Sequence, residues 1–376
     1  MKPRVCLIST VRHNVGDDFV REGIVWLLEK ILGGVEARVV HKHFPLTVRG
    51  GFSEKLDAWT RGLPQRLVLS NLADSLPLNE KTDGILNSDI VVQCGAPVYW
   101  KNRYSSCAGT EWFGPLIERR WTRVRDRVPL LNLGAGSCQA LASDGSEVWE
   151  DPACRKFIQD FTSAASLTTV RDCLAQQIVR QCGHEVPLLP CPSIFAPQAA
   201  GVPYDPRDYV ALNYMPAAGH YDLAEQGETV RLAWERRFCE SARALARRHP
   251  CLMVCHDHRE YEEAGRLLPE LPRSLTLDWR DCLKAYAGCQ FALVNRVHGG
   301  VAAAAMGKPV LLIGNDSRLF SAKLVPGVRT LPVTAGREEY DQCVRDLEEN
   351  LAAALPSFLR KAERDYLELL KPALSR

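Results

Sequence analysis

What this chain of 376 residues lacks narrows what it can be. No apolar stretch approaches the ~20 residues that cross a bilayer, so no integral membrane segment is expected. The opening MKPRVCLIST is a short apolar run interrupted by Arg12 and His13, without the small-residue cleavage site of a secretory signal, and a cytoplasmic location is the expectation. Neither sign of charge dominates: 47 Lys and Arg face 45 Asp and Glu, a formal net charge of +2. A chain so balanced has no broad field for nucleic acid or an anionic membrane, and any anion must be held by a local site. There is no Cys-x-x-Cys pair among the fourteen cysteines, which read as reduced thiols acting mostly as small core residues. No short repeat and no low-complexity tract is present.

What is there is a globular composition, 46% hydrophobic and 24% charged, long enough for two domains with a core each. Apolar runs bounded by turn residues alternate with amphipathic segments, the pattern of βαβ units and a parallel sheet. Strands are expected near 4–10, 36–41, 88–93, 129–134 and 166–171, with helices near 18–32, 115–126, 151–164 and 172–182. The segment PLLPCPSIFAPQAAGVPYDPRD then packs six prolines into residues 187–208, composition suited to an extended linker that is neither helix nor central strand. The alternation restarts with strands at 208–214, 251–256, 275–278, 291–296 and 309–313 and helices at 228–248, 260–268, 281–287 and 299–306, followed by helical patterns at 336–354 and 357–371. The fold class is therefore α/β, two doubly wound Rossmann-like domains facing across a cleft. The expected division is 1–198 on the acceptor side, a linker at 199–207, a second domain at 208–355 on the donor side, and a terminal helix at 356–376.

In open parallel sheets ligands bind beyond the carboxyl ends of the strands, so residues just after a strand are the ones to inspect. In NRVHGGVAAAAMG, a buried strand ends at Arg296, and a helix of small residues opens with His298, Gly299 and Gly300. Glycines let backbone N–H groups approach a ligand, a helix start favours an anion, and an arginine fork suits carboxylate or phosphate. Against this stands the plainer reading that Arg296 pairs with a carboxylate and His298 merely starts a helix. The densest cluster of metal-ligating types, CLMVCHDH at 251–258, separates Cys251 from Cys255 by roughly 13 Å if it is a strand, too far for one tetrahedral zinc, and no metal site is expected. His256 and His258, at its end, are placed to face a cleft.

These segments resemble the polysaccharide pyruvyl transferase family. Arg296, Val297 and His298 stand at the positions of its R-L-H motif, and the following GKPVLLIGNDSR resembles its strand and turn. Asn14, Gly16, Asp17 and Asp18 resemble its N-x-G-D-(D/E) turn into a helix, and TTVRD at 168–172 its V-R-D strand end. Val297 replaces the usual leucine, and CGAP at 94–97 stands where a glycine-rich turn is often found. The resemblance implies a fold similar to glycosyltransferase type B. It also implies transfer of pyruvate from phosphoenolpyruvate, as co-substrate and without a further cofactor, to a sugar-containing acceptor as a ketal. Such chemistry needs two cationic sites, for which Arg171 and Arg296 are candidates from opposite walls, closing the cleft as the donor binds. It also needs an acid, for which His298 is the candidate with His256 next, and a base, for which Asp17 or Asp18 qualifies unless they only cap a helix. Asn14, Cys94 and Asp316 complete the cleft candidates; Cys94 reads equally as an inert buried thiol, and Asp172 as a cap. Two other classes stay open: a nucleotide-sugar glycosyltransferase using Asp316 on a ribose, and a non-catalytic sugar-binding relative. Trp26, Trp59, Trp100, Trp112 and Trp121 fit sugar faces or cores alike.

Overall fold

The structure, a computed structural model, describes residues 1–10, 14–42, 84–101, 117, 120–202, 208–215, 228–349 and 355–375. The first of two sheets holds β1 (Arg4–Ser9), β2 (Glu36–His41), β3 (Ile90–Cys94), β4 (Pro97–Tyr99), β5 (Leu130–Ser137) and β6 (Leu167–Val170). Their order is β2-β1-β3-β5-β4, with β6 also paired to β5 and every pairing parallel. The second holds β7 (Tyr209–Asn213), β8 (Cys251–Cys255), β9 (Arg273–Leu275), β10 (Cys289–Val294), β11 (Val310–Gly314) and β12 (Val328–Pro332). It is parallel throughout in the order β12-β11-β10-β7-β8-β9. The covering helices of the first half are α1 (Val15–Leu32), α2 (Ser146–Trp149), α3 (Pro152–Ala164), α4 (Cys173–Gln181) and α5 (Ala196–Ala200). Those that follow are α6 (Glu228–Ala246), α7 (His258–Leu267), α8 (Trp279–Ala287), α9 (Val297–Ala305), α10 (Leu319–Ala322), α11 (Arg337–Glu349) and α12 (Leu355–Leu374). Among the described residues no helix is long and apolar enough to cross a membrane.

Strands β3 and β5 are buried at every residue, as strands must be when helices cover both faces of a parallel sheet. The helices α1, α4, α7 and α8 each start on a capping Asn or Asp, namely Asn14, Asp172, Asp257 and Asp278, whose side chains accept from the free N–H groups of the first turn. Several elements depart from expectation. The helix expected at 115–126 is, among its described residues, a 3₁₀ turn at Trp121–Arg123, tied down where the Trp121 indole donates to the Val128 carbonyl at 2.8 Å. The strand expected at 275–278 ends at Leu275, because Asp278 caps α8 instead of pairing. The short strands β4 and β12 carried no clear sequence signal.

The proline-rich segment is not an extended linker. Pro192–Phe195 forms a 3₁₀ turn and Ala196–Ala200 the helix α5, each with a proline in its first turn, where the missing N–H costs nothing. Residues 203–207 of the expected linker lie outside the described residues. The turn seats on α1 at Gly23, where a Cβ would stand 2.0 Å from the Pro192 carbonyl oxygen. The two sheets consequently share one core: Phe19, Ile24 and Leu28 of α1 pack with Tyr286 of α8 and the alanines of α9. The terminal helix closes this core from the N-terminal side. Tyr366 donates to the Pro190 carbonyl at 2.8 Å and meets Phe195 edge-on, and Phe195 stacks on Trp26. At the strand ends the halves are also joined directly, by Ser317 N–H to the Gln139 carbonyl at 2.8 Å and by the Ser137 and Ser317 hydroxyls at 2.7 Å.

The close approach at Gly23 is testable. Gly23→Ala pushes a methyl into backbone and should lower stability by about 1–3 kcal/mol in urea denaturation, the usual cost of overpacking. An alanine variant as stable as the parent would show that residues 192–195 do not rest on α1.

Candidate functional site

The carboxyl ends of both sheets meet around a small cleft whose lining includes Asn14, Asp17, Pro97, Arg171, His298 and Arg318. Arg171 follows β6 and is 2% exposed. Its Nη1 lies 2.9 Å from His298 Nε2, and its buried Nε has no hydrogen-bond partner. Among the described residues no carboxylate comes within ion-pair distance of it. The neighbouring Asp172 is committed to Ser137 and to the Ala175 N–H of α4, which is the capping role. Arg171 is thus buried without a direct ion pair, and Asp172 offsets its charge only from beyond ion-pair distance.

His298 occupies the first turn of α9 and reaches across to the other half of the molecule. A guanidinium only donates, so Nε2 accepts from Arg171 and the imidazole is neutral, with its proton on Nδ1. Burial, reinforced by Arg171 and Arg318, holds this histidine well below the ordinary range. Its place depends on Gly16, where a Cβ would stand 2.8 Å from His298 Cβ and 2.9 Å from Nδ1. Asn14 caps α1 by accepting from Gly16 N–H at 3.0 Å, which relieves the two aspartates of that duty. Asp17 lines the cleft, whereas Asp18 is tied to Arg21 at 2.5 Å.

Arg296 also lines the cleft, but its charge is already answered. Its Nε donates to Glu260, and its Nη2 lies 2.5 Å from Asp257. Glu260 is 1% exposed and further held by the His256 N–H at 2.8 Å and the Asn213 amide at 2.9 Å. Asn213 in turn accepts from the Arg296 N–H at 3.0 Å. The carboxylate-paired reading of Arg296 is thus realised beside its position in the cleft.

Other candidates take structural places. Gly299 and Gly300 were expected to bring backbone toward a ligand, yet the space each leaves is filled by protein. A Cβ at 299 would meet the Tyr286 hydroxyl at 2.6 Å, and one at 300 would meet Val294 and Val310. His256 is 1% exposed, hydrogen-bonded to Tyr286 at 2.8 Å and lowered by burial to about 3, so it is no accessible acid. Cys94 is buried in the shared core with its thiol pushed up by burial, and so is an inert thiol. Asp316 is buried and paired through both oxygens with Arg318, at 2.8 and 2.7 Å. Trp26 and Trp121 pack internally; Trp59 and Trp112 lie outside the described residues. Sequence reasoning missed Asp257, Glu260 and Arg318. Their signal was position alone: each follows a strand end of the second sheet.

Comparison with known proteins agrees with this arrangement. No curated protein sequence matches the chain. Among solved structures it is similar to the UDP-GlcNAc 2-epimerase of Methanocaldococcus jannaschii in complex with UDP-GlcNAc and UDP. The identity is 11% and the TM-score 0.54, over 99% of each chain. It is similar too to the UDP-N-acetylglucosamine 2-epimerase of Rickettsia bellii, with identity 11% and TM-score 0.54 over 100% of this chain and 98% of that one. At such identity the likeness is one of fold, the glycosyltransferase B arrangement of two parallel sheets. The sequence profile of polysaccharide pyruvyl transferase matches residues 14–317, from the Asn14 cap to Ser317. With its cleft assembled from both ends of that span, the chain belongs to the polysaccharide pyruvyl transferase family and is a transferase.

Proposed function

We propose that the protein transfers pyruvate from phosphoenolpyruvate to two hydroxyls of a sugar-containing acceptor, forming a ketal and releasing phosphate. The observation that carries this reading is Arg171, buried without a direct ion pair and hydrogen-bonded to a neutral His298. A small donor bearing phosphate and carboxylate supplies the charge that Arg171 lacks, and the accepting lone pair of His298 is released when the guanidinium turns to the donor. The same anion reverses the effect of the cations around His298 and raises its affinity for a proton.

His298, once protonated, gives that proton to the donor's methylene carbon, which becomes the methyl group. The adjacent carbon takes on oxocarbenium character and is attacked by one acceptor hydroxyl, whose proton passes to a base. The carbon–oxygen bond to phosphate breaks, phosphate leaves with the bonding pair, and the second hydroxyl closes the ketal, its proton passing to the departing phosphate. Asp17 is the base this reading selects, because Asn14 does the capping and Asp18 is occupied by Arg21.

Phosphoenolpyruvate at millimolar concentration should raise the melting temperature, while UDP-, GDP- and CMP-sugars should not, because only a ligand that prefers the folded state stabilises it. The reverse pattern would reject the donor. Calorimetric titration of phosphoenolpyruvate at pH 8, repeated in buffers of different ionisation enthalpy, should show uptake of about one proton per site. The sign follows from a histidine depressed in the free protein, hence neutral at pH 8, whose proton affinity rises in the complex. His298→Gln should abolish the uptake, lower kcat by about a hundredfold or more and weaken donor binding at pH 8 by the part linked to that proton. Buffer-independent heats in the parent protein would remove His298 as the acid.

A further inference from the structure

Arg171 and Arg296 face one cleft with opposite electrostatic circumstances. The first has no carboxylate partner among the described residues. The second has two, Asp257 at its Nη2 and Glu260 at its Nε. If the purpose were only to bind anions, the two carboxylates would be a hindrance, since each competes with the ligand for a donor it needs. They are nonetheless built in. Glu260 is buried and satisfied by three donors, from His256, Asn213 and Arg296. Asp257 divides its oxygens, with Oδ1 accepting from the Glu260 N–H at 2.8 Å to cap α7 and Oδ2 facing Arg296.

We infer that Asp257 limits how tightly the cleft holds the phosphate that the reaction leaves behind. This rests on the phosphoenolpyruvate reading above. Substrate and product both carry phosphate, so any strength added to phosphate binding is shared by the product, and once substrate is saturating it slows release without helping the chemistry. Two uncompensated guanidiniums would clamp inorganic phosphate from both walls. Asp257 occupies one donor of Arg296 and offsets its charge, leaving Arg296 to orient the phosphate while Arg171 supplies the net attraction. Asp257 is in this sense a positioning residue, acting through Arg296.

Asp257→Asn and Asp257→Ser separate the two tasks of this side chain, because Asn and Ser cap helices as Asp does while neither carries the charge. Inorganic phosphate, titrated calorimetrically into the full chain, should bind about tenfold more tightly to both variants than to the parent, about the effect of freeing one charge-assisted hydrogen bond. In turnover, the KM for phosphoenolpyruvate should fall, kcat should fall with it, and added phosphate should inhibit more strongly. Asp257→Glu should return phosphate affinity toward that of the parent. Damage to the fold would do the opposite, weakening phosphate and raising KM. A parent protein that binds phosphoenolpyruvate, with Asn and Ser variants that bind phosphate no more tightly, overturns the role of Asp257 alone. A parent that binds neither phosphoenolpyruvate nor phosphate overturns the donor assignment and this inference together.

Discussion

A hydrogen bond crosses the molecule where the chemistry is expected, from the Arg171 guanidinium to the imidazole of His298. One partner belongs to the first sheet and the other to the second, so the bond exists only if both sheets are held in register. Much of the fold does that holding. Gly16 leaves room for the imidazole beside the start of α1, α1 and α9 share a core, and Ser317 ties the end of β11 to the end of β5. The bond in turn dictates the protonation state of the histidine, because an arginine leaves its acceptor no choice.

Around this bond the charges are graded. Among the described residues Arg171 has no direct ion pair and feels Asp172 only from farther off, Arg318 is matched by Asp316, and Arg296 is matched twice. Buried charge is expensive in proportion to how poorly it is paired, so on that ground Arg171 is the costliest of these three arginines. A ligand anion relieves the cost most where it is greatest. The cleft therefore has a direction, with its strongest attraction at the wall formed by the first sheet.

Much of this architecture was legible in the residues. Strands such as IVVQC and LLNLGAGS are read easily because a strand covered on both faces is apolar along its length. Arg171, Arg296 and His298 were legible as groups just past a strand end. What was not legible is pairing over long separations: Glu260 and Asp257 lie 36 and 39 positions before the arginine they hold, and no local pattern announces it. Gly299 and Gly300 show the converse error. Two glycines at a helix start look the same whether they admit a ligand or, as here, the Tyr286 hydroxyl and the side chains of β10 and β11. The prolines at 187–208 misled for a third reason, since a proline that opens a helix and one that forbids it differ only in position within the turn.

The return of α12 to the first half gives the chain an order of completion. Tyr366 and Leu370 belong to the same core as Phe19 and Ile24, so the face of α1 is finished only by residues far downstream in the chain. A nascent chain leaving the ribosome can assemble both sheets and still present an open apolar seam along its first helix. Until α12 emerges and covers it, that seam is exposed apolar surface of the kind chaperones shield.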